Sequence, residues 1–305
     1  MNLSVVIAHK NDPILLSNTV TMLCKERHPD DFEIIIADDN SDRKISPDVL
    51  ERKNVYVYKT GKTSGVGAAF DVGVSKANGD ILFLIGSDVV VPPNWLEKVD
   101  EISTLYHDSI VCGECKHAQI DKVVGYGATI AWTMNSNGMG IRADAVQARW
   151  IRNRLAPMPF EVPCILGAAY VVHKSLYNSI RGWRGHKFFG GLEPMISIKA
   201  WLSGYRCLCD PTFPIGHYFN RYKKTSDILA NRSLKPDWYF YNKMFIAETM
   251  LLPRHKEKVI RHLGVYHATE MAKKYLRDNA DLVNSERIAN EKMFVHDSSY
   301  LWKED

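Results

Sequence analysis

Hydrophobic residues in the first half of the chain fall in short blocks divided by polar turns. Leu3–Ala8, Phe32–Ala37, Asn54–Tyr58 and Asp80–Ile85 are brief runs rich in Val, Ile, Leu and aromatic side chains. Runs of that length and uniformity suit strands buried on both faces of a parallel sheet. Pro13–Lys25 and Gly65–Ala77 lie between them with helical spacing; in the first, Ile14, Leu15, Val20 and Leu23 share related faces. This alternation implies an α/β fold, a mostly parallel sheet with right-handed crossovers. Further along, the pattern predicts a helix over Trp95–Tyr106, a strand within Val123–Thr133 and a short helix over Ala143–Leu155. It continues with a buried strand in Pro163–Lys174, a short helix over Ser175–Ile180, a loop feeding a helix across Phe188–Tyr205, and a strand at Arg206–Asp210 followed by Pro214–Phe219. From about Tyr222 helical spacing and aromatic density dominate, with one amphipathic helix expected over 256–277 and a last one in 284–305.

In open sheets of this kind ligands bind beyond the carboxyl ends of the strands. Polar clusters stand at those ends: His9-Lys10-Asn11, Asp38-Asp39 and Ser87-Asp88. Asp88 follows a buried strand in FLIGSDVVVPPNW, where it is either a ligand for a hard divalent cation or a turn acid. The acids at 38 and 39 suit ribose hydroxyls or a base N–H, and equally a helix cap. His217 follows Ile215-Gly216 at another strand end. Glu193 lies between Gly190-Gly191 and Pro194, and Pro favours the first helical position. The positive end of that helix would lower the Glu193 pKa and keep it ionised, as a general base requires.

Composition narrows the picture modestly. The chain has 305 residues, 46% hydrophobic and 24% charged, enough to bury a core without disulfides. A net charge of +4 permits an anionic ligand without demanding nucleic acid. The stretches 148–154 and 220–224 mix cations with aromatics; DNA is one partner they would suit, a solvated face the plainer reading. A zinc site from Cys112, Cys115, Cys207 and Cys209 is conceivable, but burial as small apolar side chains is the preferred reading. The start, MNLSVVIAHK, lacks a signal-peptide pattern, and no run reaches the ~20 apolar residues of a membrane span. A cytoplasmic protein with reduced thiols and no transmembrane segment is expected.

Six segments occur in an order that resembles a known family: SVVIAHKND, IIIADDNSD, GVGAAFDVG, GDILFLIGSDVVVPPNWLEKV, GAAYVVHKSLYNSIRGW and FGGLEPMISIKAWLSGYR. They resemble the family 2 glycosyltransferases of the GT-A fold over about residues 3–219, and the last part with IGHYF is also similar to the polypeptide N-acetylgalactosaminyltransferases. Helical spacing marks 222–305 as a helical C-terminal region, an acceptor-binding or interaction part, and the resemblance implies a GT-A domain over 1–221. It implies sugar transfer from a nucleotide-diphosphate donor, most often UDP-linked, to an acceptor hydroxyl, by default on a saccharide. By the same resemblance Ala8, Asp39 and Ser87 contact the nucleotide, Asp88 and His217 hold Mn2+ or Mg2+, and Glu193 is the base of an inverting reaction. Trp183 falls at the acceptor-side wall and Arg221 in a loop over the diphosphate. The sequence departs from the pattern at Gly86, which replaces the first Asp of Asp-X-Asp, and at Phe70, Leu192, Met195 and Asn220. Gly86 and Leu192 favour an alternative, a non-catalytic nucleotide-sugar or glycan-binding module on this scaffold. A nucleotidyltransferase would bring a Gly-rich basic loop after the first strand, and HKNDP is not one.

Overall fold

The computed structural model describes residues 2–25, 27–62, 64–133, 145–219, 236–264 and 267–302. Four parallel strands form one side of a ten-stranded sheet: β1 (Leu3–His9), β2 (Glu33–Asp38), β3 (Val55–Lys59) and β4 (Ile81–Gly86). β1 and β2 are buried almost throughout, as a strand with helices on both faces must be. The helices are α1 (Pro13–Cys24), a single turn α2 (Pro47–Leu50), α3 (Val66–Lys76) and α4 (Trp95–Leu105). β5 (Val89–Val90) is a two-residue strand after β4.

The second half extends the sheet past β4. β6 (Ser109–His117) carries β7 (Lys122–Gly125), and a separate hairpin joins β8 (Ala128–Ala131) to β9 (Gln147–Trp150). β10 (Phe160–Glu161), β11 (Ala169–His173), α5 (Lys174–Ser179), α6 (Leu192–Leu202) and β12 (Arg206–His217) follow. The sheet order is β10-β12-β6-β11-β4-β1-β2-β3, with β11 antiparallel between β4 and β6 and β12 parallel to β6. The helices α7 (Pro236–Met250), α8 (Pro253–Leu263), α9 (His267–Asp278) and α10 (Ala280–Met293) complete the fold.

Several expectations are corrected. From residue 145 the predicted short helix is instead strand β9, because Gln147–Trp150 pairs across to Ala128–Ala131 and that pairing outweighs local propensity. The strand expected in Val123–Thr133 splits at Gly127 into β7 and β8, which serve different partners. Arg206–Asp210 and Pro214–His217 are one strand, β12, with a register shift between Asp210 and Pro214. The single helix over 256–277 is two, α8 and α9, ending and restarting around Gly264. In the C-terminal region, Tyr241, Phe245, Ile246, Val259, Leu263 and Ala272 join the same buried cluster as Val6, Ile35 and Leu84 of the sheet. Among the described residues no helix is long and apolar enough to cross a membrane.

Candidate active site

The carboxyl ends of β1, β2, β4, β6 and β12 form one rim, and the entry of α6 lies against it. At the end of β2, Asp39 is 3% exposed and its carboxylate accepts from Thr60 Oγ1 (3.1 Å), Ser64 N (2.7 Å) and Gly65 N (2.9 Å). A carboxylate offers about four lone-pair directions, so three protein donors leave room for one more. Asp38 is turned to Ser41, whose amide and hydroxyl it accepts. Lys10 Nζ donates to the Asp39 carbonyl at 2.8 Å and closes the loop. Ala8 lies in the sheet between Ala37 and Gly86, and its carbonyl accepts Ser87 N at 3.2 Å.

The tertiary structure brings Asp88 to His217. Oδ2 of Asp88 is 3.3 Å from Nε2 of His217, with side chains 25% and 22% exposed. The antiparallel pairing of β5 with the end of β12, Val89 opposite His217, sets this contact. The Asp88 carbonyl accepts Tyr218 N at 3.1 Å and fixes the turn. A carboxylate and an imidazole, both partly open to solvent, are donors that would suit a hard divalent cation supplied with further oxygen ligands. Among the described residues no group of three or more His, Cys, Asp and Glu could hold a metal alone. At Gly86 a Cβ would lie 2.6 Å from Oδ1 of Asp88, so the space of the missing first Asp is taken by the second acid's own side chain.

Glu193 sits in the first turn of α6, half-buried, and accepts Tyr170 Oη at 3.2 Å. The expectation of a lowered pKa is reversed. Burial pushes its carboxyl above the ordinary range, only partly offset by the α6 amide, the Tyr170 hydroxyl and His217. Removal from water outweighs the helix-end field, which acts over a single turn. A raised carboxylate suits proton abstraction near neutral pH better than an ordinary one. The kcat/KM profile for sugar transfer is therefore expected to fall as pH drops, with its acid inflection above the roughly 4.3 of an unperturbed Glu. An inflection at or below that value would remove Glu193 as the titrating base.

Trp183 does not form a wall open to an acceptor. It is 1% exposed, stacked on Phe70 at 5.0 Å, and its Nε1 donates to the Leu192 carbonyl at 2.8 Å. The Phe70 that departs from the family pattern is its stacking partner, and Asp71 beside it takes Tyr177 Oη (2.5 Å) and Trp183 N (3.0 Å). Buried Lys199, its pKa lowered to about 8 by desolvation, donates to the Gly182 carbonyl at 2.9 Å and holds the same turn. Arg221 lies outside the described residues. Burial raises the thiols of Cys115 (to about 12) and Cys207, and a hydrogen bond with Cys112 followed by burial raises that of Cys209; among the described residues these cysteines belong to no group of three or more that could hold a metal. Arg152 and Arg154 give side-chain N–H groups to the carbonyls of Val124, Ala156 and Pro157, a structural use that lends DNA binding no support. Sequence reading missed Tyr170, whose only signal is its alternate position on a strand facing α6.

The mixed α/β sheet flanked by helices is that of the GT-A fold, as comparison with known proteins shows. The chain belongs to glycosyl transferase family 2, whose profile matches residues 4–157. It is 25% identical over 254 residues to polypeptide N-acetylgalactosaminyltransferase 10 of Rattus norvegicus, covering 77% of this chain and 41% of that protein. The chain thus spans about two fifths of the length of the curated relative it matches. In structure it resembles GalNAc-T7 solved with UDP, GalNAc and Mn2+ (TM-score 0.60, 19% identity, 86% of this chain and 55% of that one). It also resembles the mannosyltransferase PcManGT of Pyrobaculum calidifontis with GDP-Man and Mn2+ (TM-score 0.53, 12% identity, 98% and 81%).

Proposed function

We propose that this chain transfers a sugar from a UDP-linked donor to a saccharide hydroxyl, with inversion. One observation carries the reading: Asp88 and His217, far apart in sequence, meet at 3.3 Å on the rim where Glu193 holds a raised carboxyl. Asp88 and His217 would hold Mn2+ or Mg2+, which when bound supplies positive charge against the diphosphate leaving group. Ser64 and Gly65, braced by Asp39, line the nucleotide side. Glu193, with Tyr170 steadying one oxygen, takes the acceptor proton as the hydroxyl attacks the anomeric carbon. The acid at 193 favours direct displacement and hence inversion. The test is a panel of sugar nucleotides scored for UDP release with Mn2+, with Mg2+ and with chelator. Release only with metal, raised by an oligosaccharide acceptor, is expected.

The second reading, a nucleotide-sugar-binding module without catalysis, is favoured by Leu192 and by the filled space at Gly86. UDP binding with no release from any donor would select it.

A further inference from the structure

The loop that carries Glu193 is held from the C-terminal region. Asn242, Phe245 and Ile246 lie three, six and seven positions after Tyr239 on α7, a spacing that puts the four on one face. That face meets a backbone stripped of side chains. A Cβ at Gly185 would lie 2.1 Å from the Phe245 ring, one at Gly190 2.1 Å from the Tyr239 ring, and one at Gly191 3.5 Å from Asn242. Gly190 and Gly191 take φ of +87° and +73°, conformations that L side chains resist.

Asn242 is fully buried and spends its whole amide on this loop. Its Oδ1 accepts Lys187 N at 2.9 Å, and its Nδ2 donates to the carbonyls of Lys187 (2.6 Å), Phe189 (3.1 Å) and Gly190 (2.8 Å). His186 Nε2 lies 3.0 Å from the same Gly190 carbonyl; burial lowers its pKa to about 4, so the neutral ring donates there. Two residues on, Trp183 fixes the Leu192 carbonyl. On the other side, Phe188 N donates to the Ser64 carbonyl at 2.8 Å, and Ser64 is itself bonded to Asp39. Backbone groups of Lys187, Phe189, Gly190 and Leu192 are thus tied to side chains, the last of them at the residue before Glu193.

We infer that Asn242 is a positioning residue for Glu193: its amide sets the path of Lys187–Gly190 and so the place from which the base reaches the acceptor. The inference rests on reading Glu193 as the base. It gives the C-terminal helices a part in catalysis that needs no contact with acceptor.

The test compares Asn242→Ala and Asn242→Asp with wild type in the full chain, using UDP as the binding probe. Aspartate keeps the acceptor for Lys187 N and removes the donors, so one variant remains informative if the other folds poorly. Expected is a kcat about 100-fold lower per UDP-binding molecule, the usual consequence of misplacing a catalytic group by about 1 Å. Donor KM and UDP Kd should stay within about twofold, and amide exchange should rise at 187–191. A purely structural role would reduce the fraction of molecules that bind UDP while leaving kcat per binding molecule unchanged, and that result overturns the inference. Normal transfer by Glu193→Gln, measured on a separate protein, would remove the base assignment instead.

Discussion

Glu193→Gln is expected to lower sugar transfer by about 10³-fold while leaving UDP affinity within about twofold. A positioned base contributes roughly 10²–10⁴ to the rate, and the amide keeps the shape and can still accept from Tyr170. The proposed nucleotide side, where Asp39 braces Ser64 and Gly65, is untouched. Stability separates this loss from misfolding. Burial raises the Glu193 pKa, so the folded state binds this proton more tightly than the unfolded chain. The resulting stabilisation is present below the unfolded pKa and is lost as pH rises through the folded one. Ionising this carboxylate is therefore a net cost to the fold, and the neutral amide should leave Tm unchanged or higher. UDP release, UDP titration and a melting curve check the three parts. Substantial transfer by the variant would sink the base assignment.

Asp88→Ala is expected to abolish the Mn2+ dependence of UDP binding and to lower transfer by at least about 100-fold, equivalent to about 2.7 kcal/mol of barrier. The physical reason is the thin donor set: with Asp88 gone, His217 is the single ligand left of the pair. His217→Ala should weaken metal-dependent binding less, because the carboxylate supplies the charge that a hard cation prefers. Neither change should greatly alter stability, since an ion pair between partly exposed side chains contributes about 0–1 kcal/mol. Calorimetric titration of UDP with and without Mn2+ reads the effect. An Asp88→Ala protein that binds manganese and UDP like wild type would show that the pair has another purpose.

Short apolar runs made the four parallel strands legible, because a strand buried on both faces leaves no choice but continuous hydrophobicity. The rim acids were legible for the same reason: a polar residue ending such a run must sit at the sheet's edge. Asp88, His217 and Glu193 could be nominated from spacing and family resemblance. Trp183 could be nominated too, yet its side chain turned inward, since one residue number says nothing of which way an indole packs. The helix expected near Arg149 failed because its partner strand decides its state. Asn242 sent no signal at all, being an ordinary helix residue until a loop more than fifty positions away lies against it.

The order of strands and helices through β4, the rim on which a ligand would sit and the family to which the chain belongs were determined by the sequence itself, because periodicity and motif order are local properties. The tertiary structure alone decided that Asp88 meets His217, that Asp39 is already bonded to the loop above it, and that Glu193 is pushed up rather than down. It also decided that the C-terminal helices share the core and grip the loop before Glu193. Those outcomes depend on distance, burial and direction between remote segments, quantities that arise only once the chain has closed on itself.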